Sequence, residues 1–182
     1  MMVDVQYAWS DADKALRTLR DWREFDLFFV ETPLQIDDLR GYARLHNESG
    51  LRIAAGEWQN TRFEFADLMD TGLVDVAQPD VGRVGGLTEA RRVCGMAAER
   101  GRIIVPHCWK TGIGIAASAH LAAVTPHCPY IEFLPASLCD SLLRKELVAD
   151  ELEIVDGKIS LPRKPGLGIE VDRKALERFE VR

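Results

Sequence analysis

The chain has 182 residues, 47% of them hydrophobic and 29% charged, with a formal net charge of −6. Those totals fit one globular domain with a substantial core and exclude a disordered segment. The acidic balance, with no basic run and no interleaved basic–aromatic stripe, excludes an electrostatic footprint for nucleic acid.

The opening Met-Met-Val-Asp-Val has neither a basic n-region nor an apolar h-region, so no signal peptide is expected. The longest apolar stretch, Ile113 to Val124, contains Ser118 and His120 and falls short of the roughly 20 residues of a membrane span. A cytoplasmic location is the expectation, with no membrane partner. The cysteines Cys94, Cys108, Cys128 and Cys139 form no C-x-x-C pair and suggest reduced thiols rather than a disulfide framework.

In chain order, Met1–Val5, Leu27–Val30, Leu51–Ala55, Val74–Ala77, Ile103–Val105 and Tyr130–Phe133 read as short buried strands rich in Val, Ile or Phe. Between them Asp11–Glu24, Ile36–Asn47, Arg62–Met69, Thr88–Arg100 and Ile113–Val124 read as helices. Ser10 or Asp11 caps the first, and Gly101 stops the fourth. A repeat of about 25 residues per strand–helix unit argues for right-handed βαβ crossovers and a parallel sheet. The expected fold is α/β: an incomplete TIM-type (β/α) barrel of about six parallel strands. Residues 1–134 supply the barrel units and residues 135–182 a tail. In that tail Glu151–Val155 and Lys158–Leu161 flank Asp156-Gly157 as a β-hairpin, and Asp172–Glu180 forms a short helix. Gly82, Gly85 and Gly86 follow a strand, but at the wrong spacing for dinucleotide binding.

Chemistry collects at the strand ends. Asp4, Glu31, Glu57, Asp80, His107 and Glu132 end the six predicted strands, separated by 27, 26, 23, 27 and 25 residues. In a parallel barrel those ends meet at one mouth. Helix capping or a surface ion pair would account for one such acid. Three consecutive ones, Asp4, Glu31 and Glu57, would repel one another without a hard divalent cation, and carboxylates with retained waters suit Mg²⁺ better than Zn²⁺. Asp80 and His107 end adjacent strands, close enough for the carboxylate to orient the imidazole as a general base. Glu132 faces them as an oxyanion-side donor or as a salt-bridged rim acid. His46, His120 and His127 have no partners at comparable spacing and read as incidental.

These residues in this order resemble the mandelate racemase/muconate-lactonizing branch of the enolase superfamily. The matching segments are Met-Val-Asp-Val-Gln at Asp4, Phe-Val-Glu-Thr-Pro at Glu31, Ala-Ala-Gly-Glu at Glu57, Gln-Pro-Asp-Val-Gly-Arg-Val-Gly-Gly at Asp80, Val-Pro-His-Cys-Trp at His107 and Tyr-Ile-Glu-Phe at Glu132. The resemblance implies Asp4, Glu31 and Glu57 as ligands of a magnesium ion that binds a substrate carboxylate. It implies His107 as base or acid, Asp80 as its orienter and Glu132 as an oxyanion-side donor. Gln6 stands where the family often has Asn, and Thr32 where a second Glu is common. The family's longer chain begins with an α+β capping domain and two barrel strands, the second often carrying a Lys-x-Lys. The resemblance here starts at the third strand, so the expectation is a C-terminal barrel portion without that capping domain and those strands.

The expected activity is magnesium-dependent removal of the proton α to a carboxylate, most simply dehydration of a sugar acid. One His can take the proton and then help the β-hydroxyl leave, whereas racemisation or epimerisation needs a base on each face. A different class stays open: a non-catalytic truncated remnant whose unpaired barrel edges drive self-association or homo-oligomerisation.

Overall fold

The computed structural model describes residues 1–109 and 111–181. Five short strands form one parallel sheet in the order β1 (Met2–Asp4), β2 (Phe29–Glu31), β3 (Ile53–Ala55), β4 (Val76–Ala77) and β5 (Ile103–Ile104). The order follows the sequence, so every crossover carries a helix: α1 (Ala12–Asp21), α2 (Leu39–Ser49), α3 (Thr61–Asp70) and α4 (Gly86–Glu99), with α5 (Gly112–Ala123) after the last strand. Strands covered on both faces must be apolar throughout, and Ile53, Ala54 and Ala55 of β3 are each 3% exposed or less. The helices bury one stripe against the sheet. In α1 that stripe is Ala12, Ala15, Leu16 and Leu19, and in α4 it is Ala90, Val93, Cys94 and Ala97.

Local chemistry sets the helix starts. Asp11 caps α1 by accepting from Lys14 N at 2.9 Å, and Asp38 caps α2 by accepting from Gly41 N at 2.9 Å. At α3 Glu64, in the first turn, reaches back to accept from Asn60 N at 2.6 Å. The predicted first helix runs past Asp21 only as a 3₁₀ turn, Trp22–Phe25.

The sixth predicted strand, Tyr130–Phe133, forms no ladder. It and the turn before it lie beside β5 through two separate contacts, Glu132 N donating to Pro106 O at 3.2 Å and Ile104 N donating to His127 O at 3.1 Å. Between them neither Pro106 nor Pro129 has an N–H to give, so the bonds that would join the two into a ladder cannot form. The segment still closes in space, since Tyr130 packs edge-on against Phe28 with ring centroids 5.4 Å apart. The sheet is therefore rolled, and its strand ends converge.

The tail folds under the last units. A buried Arg144, 2% exposed, reaches Leu134 O at 2.6 Å and forms a two-pronged ion pair with Glu151. A short α6 (Leu142–Glu146) presents this arginine, an element without an advance signal in the sequence. The expected hairpin is there as β6 (Ile154–Val155) and β7 (Lys158–Ile159), antiparallel. Asp156 at φ 51° and Gly157 at φ 71° supply the two left-handed residues its turn requires. The terminal helix α7 spans Arg173–Arg178.

Among the described residues no helix is long and apolar enough to cross a membrane.

Candidate active site

Register places the first two acids side by side. Asp4 pairs with Glu31 across β1 and β2, so their side chains leave the same end of the sheet. Asp4 is held by its own turn and its neighbour: Gln6 donates from N at 2.9 Å and from Nε2 at 2.7 Å, and Thr32 Oγ1 donates at 2.8 Å. The two positions that depart from the family pattern, Gln6 and Thr32, are thus the ones that orient Asp4.

Glu57 follows β3 after Gly56, whose φ of 141° belongs to glycine. A Cβ there would lie 2.8 Å from both Gln78 N and the Phe65 ring, so the close packing of β3 on β4 also demands glycine. The turn delivers the Glu57 carboxylate inward, 6% exposed, where it accepts from Tyr7 Oη and lies 3.1 Å from His107 Nε2. Arg83 Nη1 holds the Glu57 carbonyl at 2.8 Å, while its guanidinium lies 3.7 Å from the Trp58 ring centre.

Asp80 and His107 meet as their spacing predicts. The imidazole Nδ1 is 2.8 Å from Asp80 Oδ2, and Asp80 Oδ1 accepts from Gly82 N at 2.7 Å. With the carboxylate fixed by a backbone donor, Nδ1 carries the proton and Nε2 faces the mouth. Glu132 Oε2 accepts from Cys108 N at 2.6 Å and stands 3.7 Å from His107 Nε2. Asp4, Glu57, His107 and Glu132 share a pocket of about 450 Å³ with Gln6, Tyr7, Trp58, Arg83 and Trp109.

Electrostatics follow from this crowding. Burial works against a charged His107, but the bonds to Asp80 and Glu57 and the charge of Glu132 outweigh it and lift its pKa to about 9. Burial also raises Glu57, yet the His107 and Tyr7 hydrogen bonds and the positive charge beside it hold its carboxyl below the usual range. Glu31 is pushed up to about 7, chiefly by burial and then by Asp4 and Glu132, against a bond from Gln78. Burial likewise raises Glu132.

This donor set suits a hard cation. Asp4 and Glu31 offer carboxylate oxygens in register, and a divalent ion there would offset the mutual repulsion of the clustered acids. In the present arrangement Glu57 faces Tyr7 and His107. No three acid, His or Cys side chains among the described residues stand ready to hold a metal.

Of the six residues expected at the mouth, the structure gathers Asp80, His107, Glu57 and Glu132 into direct or near contact, with Asp4 and Glu31 adjoining. Sequence reasoning missed Tyr7, Arg83, Trp58, Trp109 and Gln78. The aromatic side chains within three residues of Asp4, Glu57 and His107 were a signal that could have been read. His46, read as partnerless, sits 3.0 Å from Asp75, and His120 is 3.1 Å from Leu167 O, both away from the mouth.

The chain is 32% identical to the D-galactarolactone cycloisomerase of Agrobacterium fabrum, covering 100% of this chain and 49% of that protein. It is 33% identical to the D-galactonate dehydratase of Xanthomonas euvesicatoria, covering 92% and 44%. Among solved structures, the L-talarate dehydratase of Polaromonas sp. JS666, complexed with Mg and L-glucarate, superposes with a TM-score of 0.83 at 30% identity, covering 97% of this chain and 46% of that one. The chain spans about half the length of the curated relatives it matches. Residues 1–175 match the enolase C-terminal domain-like family, and the chain belongs to it.

Proposed function

We propose that this chain carries the catalytic mouth of a magnesium-dependent hydro-lyase that dehydrates a sugar acid. The observation that carries the reading is the His107 imidazole, anchored through Nδ1 on Asp80 with Nε2 turned into a pocket of carboxylates. Asp4, Glu31 and Glu57 are the residues that would hold Mg²⁺. When bound, the ion supplies positive charge beside the substrate carboxylate, where negative charge develops as the α-proton leaves.

The chain's own residues divide the rest. Asp80, fixed by Gly82, keeps the imidazole in one tautomer and orientation, which a base requires before its pKa matters. His107 accepts the α-proton at Nε2. The same nitrogen then returns a proton to the departing β-hydroxyl, so the net loss is one water. In the present arrangement His107 favours its charged form because Glu57 and Asp80 both bond to it, and turning Glu57 away would lower it toward the range of a base. Glu132, raised by burial, is suited to donate toward the oxyanion side. Trp58 and Trp109 offer apolar faces for the C–H surface of a polyhydroxy chain.

Two edges lack strand partners among the described residues, β1 and segment 130–133, and Met1 and Tyr130 beside them are exposed. We infer self-association through these edges.

The test is to incubate the protein and Mg²⁺ with a panel of aldonic and aldaric acids and to assay for 2-keto-3-deoxy products. Formation from at least one acid, lost on EDTA treatment, is expected. Interconversion of epimers without a keto product would favour the racemase reading instead.

A further inference from the structure

Tyr7 bonds to the candidate metal ligand Glu57 from 50 residues away in the chain and has no part in the chemistry above. It is placed by an unusual turn. Gln6 at φ 47° and Tyr7 at φ 60° are successive left-handed residues, a conformation that side-chain-bearing residues rarely adopt. The turn is fixed at both ends, by Gln6 on Asp4 and by Tyr7 N donating to Thr32 O at 2.7 Å. Its effect is to carry the phenol across the mouth from β1 to the end of β3, where Tyr7 Oη donates to Glu57 Oε1. Backbone held in a sparsely populated region by surrounding bonds points to a role.

The bond has a consequence for the three acids. Oε1 of Glu57 is taken by Tyr7 and Oε2 lies 3.1 Å from His107 Nε2, so both oxygens are already engaged outside the in-register Asp4–Glu31 pair. With Glu57 so held, the described residues contain no group of three ready ligands.

We propose that Tyr7 is a positioning residue that occupies Glu57 Oε1, and that its phenol must be released for Glu57 to complete the cation site with Asp4 and Glu31. The inference rests on the metal-binding reading given under Proposed function. It makes cation binding a competition, in which each Mg²⁺ bound costs the Tyr7–Glu57 hydrogen bond. A released phenol would be free to donate to a substrate hydroxyl in the same pocket.

The experiment is calorimetric titration with Mn²⁺ of the wild-type chain, Tyr7→Phe, Glu31→Gln and the Glu57→Gln background with and without Tyr7→Phe. Losing one hydrogen bond to a charged group should tighten binding by about tenfold in Tyr7→Phe. The gain should vanish on the Glu57→Gln background, because the two residues act on each other. Thermal melting without metal checks that Tyr7→Phe is folded, and a merely structural tyrosine would lower that transition without tightening Mn²⁺. Unchanged or weaker binding in Tyr7→Phe, with binding lost in Glu31→Gln, overturns the role of Tyr7 and leaves the metal reading standing. Absence of Mn²⁺ binding in wild type and Tyr7→Phe alike overturns both.

Discussion

Thr32 donates its hydroxyl to Asp4 Oδ1 at 2.8 Å across two neighbouring strands, in a position where a second carboxylate would face Asp4 instead. A hydroxyl there orients the acid without adding charge to a mouth that already holds Glu31, Glu57 and Glu132. Removing that donor by Thr32→Val leaves Asp4 to Gln6 alone. The expected result is cation binding several-fold weaker, with stability lowered by about 1 kcal/mol, the typical net value of one hydrogen bond. Calorimetric titration and urea unfolding measure the two, and unchanged affinity would show that Gln6 suffices.

The Arg144–Glu151 pair makes a second prediction. Arg144 is 2% exposed and also bonds Leu134 O, two residues beyond Glu132. Arg144→Met strands the Glu151 carboxylate and should cost about 3–5 kcal/mol, as breaking a buried pair does. The double variant Arg144→Met with Glu151→Leu should recover most of that loss, because a buried pair is expensive to break yet contributes little over an apolar substitute. Chemical denaturation of the three variants decides it. A double variant as unstable as the single one would mean that the Leu134 contact carries the stability.

Burial, and then the nearby Cys94, push the Cys128 thiol up to about 12. A thiol reacts as the thiolate, so the reactive form is scarce below that pH and grows as pH rises toward it. Native protein treated with iodoacetamide at pH 8 should leave Cys128 unmodified, with labelling appearing only on unfolding. Rapid native labelling of Cys128, read by peptide mass spectrometry, would contradict its placement against Tyr130 O.

Much of the site was legible in the sequence because a strand–helix repeat fixes where strand ends fall. Asp80 and His107, 27 residues apart in the chain, meet at 2.8 Å for that reason alone. The ladder of the sixth strand was not legible, since its failure depends on which register position Pro106 occupies. Tyr7 and Arg83 were not legible either: one reaches the mouth through a left-handed turn and the other through the loop after β4, and neither path has a period. The α6 segment is five residues long, too short for a helical stripe to show.

The open edges predict behaviour in solution. Met1 is 74% exposed and Tyr130 51% exposed, beside the outer edges of β1 and segment 130–133, which pair with no further strand among the described residues. Unpaired edges with apolar side chains template further pairing. Sedimentation of the purified 182-residue chain should show self-association that deepens with concentration, and a monodisperse monomer would show that the rolled sheet tolerates its edges.

In the proposed reaction His107, oriented by Asp80, takes the proton α to a carboxylate. Proton NMR of a turned-over aldonic or aldaric acid in D₂O with Mg²⁺ tests it most directly, because exchange at the α-carbon reports proton removal whether or not water is then lost. Wild-type protein should exchange that proton, His107→Asn should show none above background, and Asp80→Asn should exchange more slowly with cation affinity little changed. Equal exchange by wild type and His107→Asn would contradict it.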